Sequence, residues 1–189
     1  MSNPSKAKGT AAETAIVRYL RANGFGGADR QPLRGNRDQG DIALCPGIII
    51  EAKTSKRTGP TGLPPEQLLT TWLDQTELER ANAGAAIGLL VVKRHGTTNP
   101  GRWHTWWRLE HLADVLAEDG HADIVWSSPV MLDLANTVEL LRQSGYGDAP
   151  VDSPAARTPV EDRVELDAAS GYGLGSDVRS GGRAQEGVA

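Results

Sequence analysis

The sequence has little of what several protein classes require. Its 189 residues contain one cysteine, Cys45, which excludes an internal disulfide framework and a cysteine-based zinc cluster. The longest apolar run, 83–92, covers ten residues, about half of a membrane-spanning helix. The first residues, MSNPSKAKG, lack the hydrophobic stretch of a secretory signal. We therefore expect a cytoplasmic protein with no membrane partner.

Two common kinds of site also have no sequence signal. There is no Gly-Lys-Ser/Thr phosphate loop, so we expect no nucleotide cofactor. The four histidines show neither a metal-ligand spacing nor a neighbouring carboxylate motif. We assign them no role.

The charge is divided unevenly along the chain, although the net value is only −4. Residues 1–108 hold 15 Lys and Arg against 9 Asp and Glu, whereas residues 109–189 hold 5 against 15. A basic front half suggests a polyanionic partner for that half. The alternative is a neutral domain with an acidic solubilising tail, and the charge alone leaves both interpretations open.

The apolar pattern predicts an α/β domain over residues 1–145. Periodicity predicts a helix over 10–23, with Thr10 and Glu13 as a capping box and Gly24 at its end. Two β-branched runs, 41–44 and 48–53, predict a hairpin. The same criteria predict helices over 66–82, 109–117 and 131–143 and strands over 85–93 and 103–107. This order predicts a mixed sheet flanked by helices, followed by a disordered acidic tail over 146–189 that is rich in Gly, Pro, Ser and Ala.

The hairpin carries a group of charged residues. Glu51 and Lys53 are two apart and so share one face of a strand. If residues 45–47 form a three-residue loop, Asp41 lies opposite Glu51, where two carboxylates repel unless a cation lies between them. Mg²⁺ suits such a site, because it takes one or two carboxylates and completes its shell with water and phosphate. A two-residue loop would instead place Asp41 opposite Ile50.

These residues resemble a known nuclease pattern. Gly40-Asp41-Ile42 and Glu51-Ala52-Lys53 flank the hairpin turn, with Glu13 in the helix before them and Gln75 in the helix after them. This arrangement resembles the PD-(D/E)XK nuclease superfamily. Within it, the chain is similar over residues 4–110 to archaeal- and phage-type Holliday junction resolvases, including resolvase-like proteins of phages that infect actinobacteria. Gly40 stands where the superfamily usually has proline.

The resemblance implies a restriction-endonuclease-like fold with a catalytic core over about 4–110 and a helical extension over 109–145. It implies that Asp41, Glu51 and the backbone carbonyl of Ala52 hold Mg²⁺, for which Mn²⁺ substitutes, and that Glu13 reaches the metal through water. Lys53 would orient the attacking water, and Gln75 would contact the metal shell or the backbone near the phosphate. The product would carry a 5′-phosphate.

Several basic residues are candidates for DNA contact, although each is as readily explained as ordinary exposed charge. Four lie in loops beside the hairpin and two in a predicted flexible N-terminal arm; they are Arg34, Arg37, Lys56, Arg57, Lys6 and Lys8. The tryptophans Trp103, Trp106 and Trp107 could stack on bases, but core or dimer-interface positions are the favoured interpretation.

From the resemblance we expect a Mg²⁺-dependent DNA endonuclease that acts on Holliday junctions in phage recombination and replication, located in the host cytoplasm if a phage encodes it. Two symmetric cuts in a four-way junction suggest a homodimer. The alternatives are a linear-duplex nuclease of the restriction or RecB-like exonuclease type and a non-catalytic DNA-binding module that keeps the fold.

Overall fold

The computed structural model describes residues 4–32, 38–54, 63–117 and 128–149, and the side chains of these from residue 6 onwards. The helices are α1 (Pro4–Ala22), α2 (Glu66–Ala83), α3 (Leu109–Leu116) and α4 (Leu134–Gln143), with a short 3₁₀ helix at Pro100–Arg102. The strands are β1 (Asp29–Arg30), β2 (Ile42–Cys45), β3 (Ile48–Lys53), β4 (Ile87–Val92), β5 (His104–Arg108) and β6 (Pro129–Asp133). None of the described helices has the length and apolar character needed to cross a bilayer.

The six strands form one mixed sheet in chain order, β1 to β6. Neighbouring strands are antiparallel except β3 and β4, which are parallel. Parallel neighbours need a crossover connection, and α2 lies in the segment that provides it. The prediction of an α/β domain with a mixed sheet flanked by helices is therefore confirmed.

The alternation of side chains along β3 and β4 builds a different core on each face of the sheet. Ile50 and Leu89 belong to the larger core with residues of α1 and α4. Leu90 and Val92 belong to a smaller core with Leu69 and Leu73 of α2. All six residues of β4 are buried for this reason. Glu51 and Lys53 alternate with Ile50 and so lie on the face that α2 covers.

The first helix begins earlier than its sequence pattern predicts. It starts at Pro4, so Thr10 lies inside it, where the Thr10 carbonyl accepts a hydrogen bond from the Thr14 hydroxyl. The capping-box interpretation of Thr10 and Glu13 is therefore wrong. Lys6 and Lys8 are exposed residues of α1, so the flexible-arm interpretation is also wrong. Lysine and alanine favour helix strongly enough to continue it past Gly9.

The helix predicted over 131–143 begins later in the structure than its sequence pattern predicts. Residues 129–133 form the edge strand β6, and the helix begins only at Leu134. Pairing with β5, as between Leu132 and Thr105, satisfies the backbone groups of this segment, so a long-range contact overrides the local helical periodicity. The predicted helices over 66–82 and 109–117 and the strands before and after Gly96 are confirmed by α2, α3, β4 and β5.

The packed body continues a few residues past the predicted boundary at 145. Tyr146 packs against the larger core. Asp148 accepts a hydrogen bond from the Gly26 backbone N–H through Oδ2, and its own N–H donates to the Gly24 carbonyl. The first compact unit accordingly ends at Ala149. The remainder of the predicted tail, 150–189, lies outside the described residues.

Candidate active site

The hairpin places Asp41 and Glu51 side by side through an irregular register. The pairs are Ile42 with Ile50, Ala43 with Ile49 and Cys45 with Ile48, with a register shift between Ala43 and Cys45. The three-residue loop is therefore wrong, because the turn contains only Pro46 and Gly47. The shift absorbs the extra residue, Leu44, so the outer pairs keep the register that puts Asp41 level with Glu51.

Asp41 is fixed through both its backbone and its side chain. Its N–H donates to the Ile50 carbonyl at 3.0 Å, and its Oδ2 accepts from the Ala52 N–H at 2.9 Å. The N–H and C=O of one strand residue point towards the same neighbouring strand. The Ala52 carbonyl therefore faces the side on which Asp41 lies, next to the end of β2.

The local backbone at Gly40 favours glycine and excludes proline. Its φ is +88°, whereas proline is held near −65°. A Cβ at this position would lie 3.0 Å from Ile49 Cδ1 and 3.3 Å from the Ile50 carbonyl oxygen. Glycine therefore meets both the backbone angle and the close approach that bring the chain into Asp41.

Glu51 is a buried carboxyl that contacts the ammonium group of Lys53. It is 4% exposed, and Lys53 Nζ donates to its Oε1 at 2.5 Å. Burial raises the pKa of the Glu51 carboxyl to about 9; the Lys53 charge opposes this shift, while Asp41 and a hydrogen bond with Glu79 add to it. Without a further positive charge at the site, the environment favours the protonated form of Glu51.

Helix α2 contributes two polar side chains to the same site. Gln75 Oε1 accepts from Lys53 Nζ at 2.9 Å, and Gln75 Nε2 lies 3.5 Å from Glu51 Oε1 and 2.7 Å from Glu79 Oε1. Glu79, 2% exposed, is a site residue that sequence reasoning missed. Its signal is the four-residue spacing from Gln75, which places both side chains on one helix face. Burial raises the pKa of Glu79 as well, and Asp38 adds to this.

The C-terminal end of α2 also holds the segment that leads into Asp41. Asn82 Nδ2 donates to the Asp38 carbonyl at 3.0 Å, and Gln39 Nε2 donates to the Asn82 carbonyl at 3.1 Å. One helix therefore positions Gln75 and Glu79 and also anchors the approach to the hairpin.

The structure brings four predicted residues together and gives Glu13 a different partner. Asp41, Glu51, Lys53 and Gln75 lie in one connected group through the contacts above. Glu13 Oε2 accepts from Arg30 Nε at 2.8 Å and forms an ion pair with Arg30 Nη2 at 2.6 Å. The metal-site role of Glu13 stays a prediction.

The remaining candidates fall into two groups. Arg34, Arg37, Lys56 and Arg57 lie outside the described residues. Trp103 and Trp107 are fully buried in the larger core, and Trp106 packs against the smaller core. The core interpretation is confirmed for Trp103 and Trp107, since neither presents a ring to a nucleic-acid base.

The donor atoms fit a hard divalent cation. Across the described segments, no three or more His, Cys, Asp or Glu side chains form a group that could hold a metal ion. Mg²⁺ needs fewer, because water and substrate phosphate complete its shell around one or two carboxylates. Asp41, Glu51 and the Ala52 carbonyl offer oxygen only. Glu79 Oε2 is buried and has no hydrogen-bond partner within the described part of the chain, which therefore brings more acidic groups than ammonium groups to the site.

Comparisons of this chain with models of known protein families, with curated proteins and with solved structures found no significant match.

Proposed function

We propose that this chain is a Mg²⁺-dependent DNA endonuclease with a restriction-endonuclease-like fold that cuts four-way junctions. The observation that supports it most is the convergence of Asp41, Glu51 and Lys53 at one end of the hairpin, beside Gln75. Clustered carboxylates facing a polyanion are unfavourable for binding alone, so they argue for a cation-dependent reaction rather than for a passive binding module.

The residues have separate tasks in this proposal. Asp41, Glu51 and the Ala52 carbonyl would hold the cation, which supplies Lewis-acid polarisation of the phosphate and a lowered pKa for a bound water. The Lys53 ammonium would orient the attacking water and offset negative charge that develops on the phosphate. Gln75 Oε1 holds that ammonium in place. Hydrolysis would leave a 5′-phosphate and a 3′-hydroxyl.

The proposed junction selectivity and homodimer depend on the family resemblance and on the basic front half of the chain. Two symmetric cuts need two sites related by a two-fold axis. The proposed phosphate contacts are of two kinds. Lys6 and Lys8 are exposed on α1, and the predicted loops beside the hairpin contribute Arg34, Arg37, Lys56 and Arg57. Recombination and replication of phage DNA are the setting that the resemblance suggests.

The test compares cleavage of a synthetic four-way junction with cleavage of a linear duplex of the same sequence, in Mg²⁺ and in Mn²⁺. We expect preferential cutting of the junction and loss of cutting to background in Glu51→Ala. Glu66→Ala, an exposed glutamate at the start of α2, is the matched control and should cut like the wild type.

Three outcomes would count against the proposal in different ways. Equal cutting of both substrates would favour a linear-duplex nuclease. Junction binding without cleavage in either metal would favour a binding module. Cleavage that survives Glu51→Ala would remove the assigned site.

A further inference from the structure

Glu79 is a buried acid that the proposed chemistry does not yet use. It is 2% exposed, lies on the face of α2 that packs against β3 and β4, and has one carboxylate oxygen, Oε2, with no hydrogen-bond partner among the described residues. A buried polar atom in this condition costs stability, typically about 1–3 kcal/mol. An apolar side chain of similar size would remove that cost, but it would also remove the hydrogen bonds of Glu79 with Gln75 and Glu51, so the polar contacts of the glutamate and not its packing explain its presence.

The other oxygen of Glu79 has a defined partner. Gln75 Nε2 donates to Glu79 Oε1 at 2.7 Å, and the longer contact to Glu51 Oε1 is 3.5 Å. An amide side chain can be turned over, exchanging its donor and its acceptor. A carboxylate oxygen close to Nε2 favours one of the two orientations, because it can accept from nitrogen and would repel the amide oxygen.

The orientation of the Gln75 amide decides which of its atoms faces the Lys53 ammonium. With Nε2 towards Glu79, Gln75 Oε1 faces Lys53 Nζ and accepts its hydrogen bond at 2.9 Å. In the opposite orientation the amide N–H₂ group would face the ammonium, and no hydrogen bond could form because both groups are donors. Lys53 has a second acceptor in Glu51 Oε1, but a cation at Glu51 would compete for that oxygen and leave Gln75 as the partner of the ammonium.

We propose that Glu79 is a positioning residue that sets the orientation of the Gln75 amide and thereby holds the Lys53 ammonium at the site. The proposal rests on the proposed nuclease function for its consequence in catalysis, but the contact between Glu79 and Gln75 can be tested without it. Glu79 acts through Gln75 and need not touch substrate.

The kinetic test uses the full-length chain and a double-mutant cycle of Glu79→Leu and Gln75→Ala. We expect Glu79→Leu to lower the single-turnover rate of junction cleavage about tenfold, as is typical for partners of site residues, and to leave junction affinity unchanged. The double variant should be no slower than Gln75→Ala, because the effect of Glu79 passes through Gln75. Losses that multiply in the double variant, or an unchanged rate in Glu79→Leu, would overturn the proposal.

Two further measurements separate positioning from folding. The melting temperature of Glu79→Leu should stay within about 3 °C of the wild type, since the variant removes the unpartnered Oε2 but also removes the acceptor of Gln75 Nε2. Thr76→Val, which replaces another buried polar group of α2, is the matched control and should keep the wild-type cleavage rate. A slow Thr76→Val variant would show that any polar-to-apolar change in α2 disturbs the site, and would overturn the specific role of Glu79.

A spectroscopic measurement decides the contact even if the wild type cuts no DNA. In ¹⁵N-labelled protein the Gln75 side-chain amide is identified by its loss in Gln75→Ala. We expect its two proton resonances to be displaced from those of a free glutamine in the wild type and to move towards them in Glu79→Leu. An unchanged Gln75 amide in Glu79→Leu would overturn the proposal, whereas absent cleavage with a shifted amide would count against the nuclease function only.

Discussion

Glu51 lies in surroundings that disfavour its negative charge, and this has consequences that can be measured without a substrate. Its pKa is raised from 4.5 to about 9, chiefly by burial. Between these two values the folded chain keeps a proton on Glu51 that the unfolded chain releases. Stability therefore falls as the pH rises through this interval. A cation at the site would reverse the trend by favouring the ionised form.

We expect Glu51→Gln to flatten this pH dependence, because the amide does not titrate. Melting temperatures measured from pH 5.5 to pH 8.5 should fall more steeply in the wild type than in Glu51→Gln. Added Mg²⁺ should raise the melting temperature of the wild type most at the alkaline end and should leave Glu51→Gln unaffected. Parallel profiles of the two proteins would contradict the buried environment assigned to Glu51, and Glu66→Gln serves as the control with equal charge change.

The Glu13 carboxylate is paired with the Arg30 guanidinium through two short contacts. We expect Glu13→Gln and Arg30→Ala to behave alike, each lowering stability by less than about 1 kcal/mol, as is usual for a partly exposed ion pair. Neither should change the Mg²⁺ concentration that gives half-maximal cleavage. A weakened Mg²⁺ response in Glu13→Gln alone would instead support the metal-site role that the family resemblance implies.

The hairpin and α2 together form the site, and each depends on local features of its own chain segment. The irregular pairing between Ala43 and Cys45 keeps Asp41 beside Glu51 despite a two-residue turn. Gly84, with φ +64°, caps the C-terminal end of α2. Asn82 links the end of this helix to Asp38 and Gln39. The helix is therefore part of the site as well as a cover for the sheet.

Gly40→Ala tests how closely the chain packs where it enters the hairpin. We expect Gly40→Ala to destabilise the chain more than Gly96→Ala, and to reduce cleavage where Gly96→Ala does not. Both glycines have positive φ, +88° and +77°, for which a side chain costs about 1–2 kcal/mol. Only at Gly40 would the new Cβ also press against Ile49 and Ile50. Urea unfolding of both variants measures the difference, and equal losses would show that the close approach is relieved without cost.

The distribution of charge over the complete chain separates a basic part that contains the proposed site from an acidic part. Residues 1–108 contain every proposed catalytic residue and carry the excess of lysine and arginine. The packed body extends further, to Ala149, through the contacts of Tyr146 and Asp148.

Truncation at two points tests where the body ends. We expect a chain that stops at Ala149 to melt within about 2 °C of the full-length protein, and a chain that stops at Gly145 to melt several degrees lower. The shorter chain loses the Asp148 contacts to Gly24 and Gly26 and the packing of Tyr146; a loss of about 1 kcal/mol lowers the melting temperature of a domain this size by about 2–4 °C. Equal melting of both truncations would show that residues 146–149 add nothing to stability.

Local patterns in the sequence were enough to predict most elements and the central carboxylates. The β-branched runs predict β2 and β3, the buried run predicts β4, and the two-residue spacing puts Glu51 and Lys53 on one face. These predictions succeed because side-chain alternation and helical periodicity are properties of neighbouring residues. Only the tertiary structure decided the bulge that sets Asp41 level with Glu51, the pairing of β6 with β5, the Glu13–Arg30 ion pair and the burial of Glu79 against the sheet. Each of these depends on contacts between distant parts of the chain, for which no local pattern carries a signal.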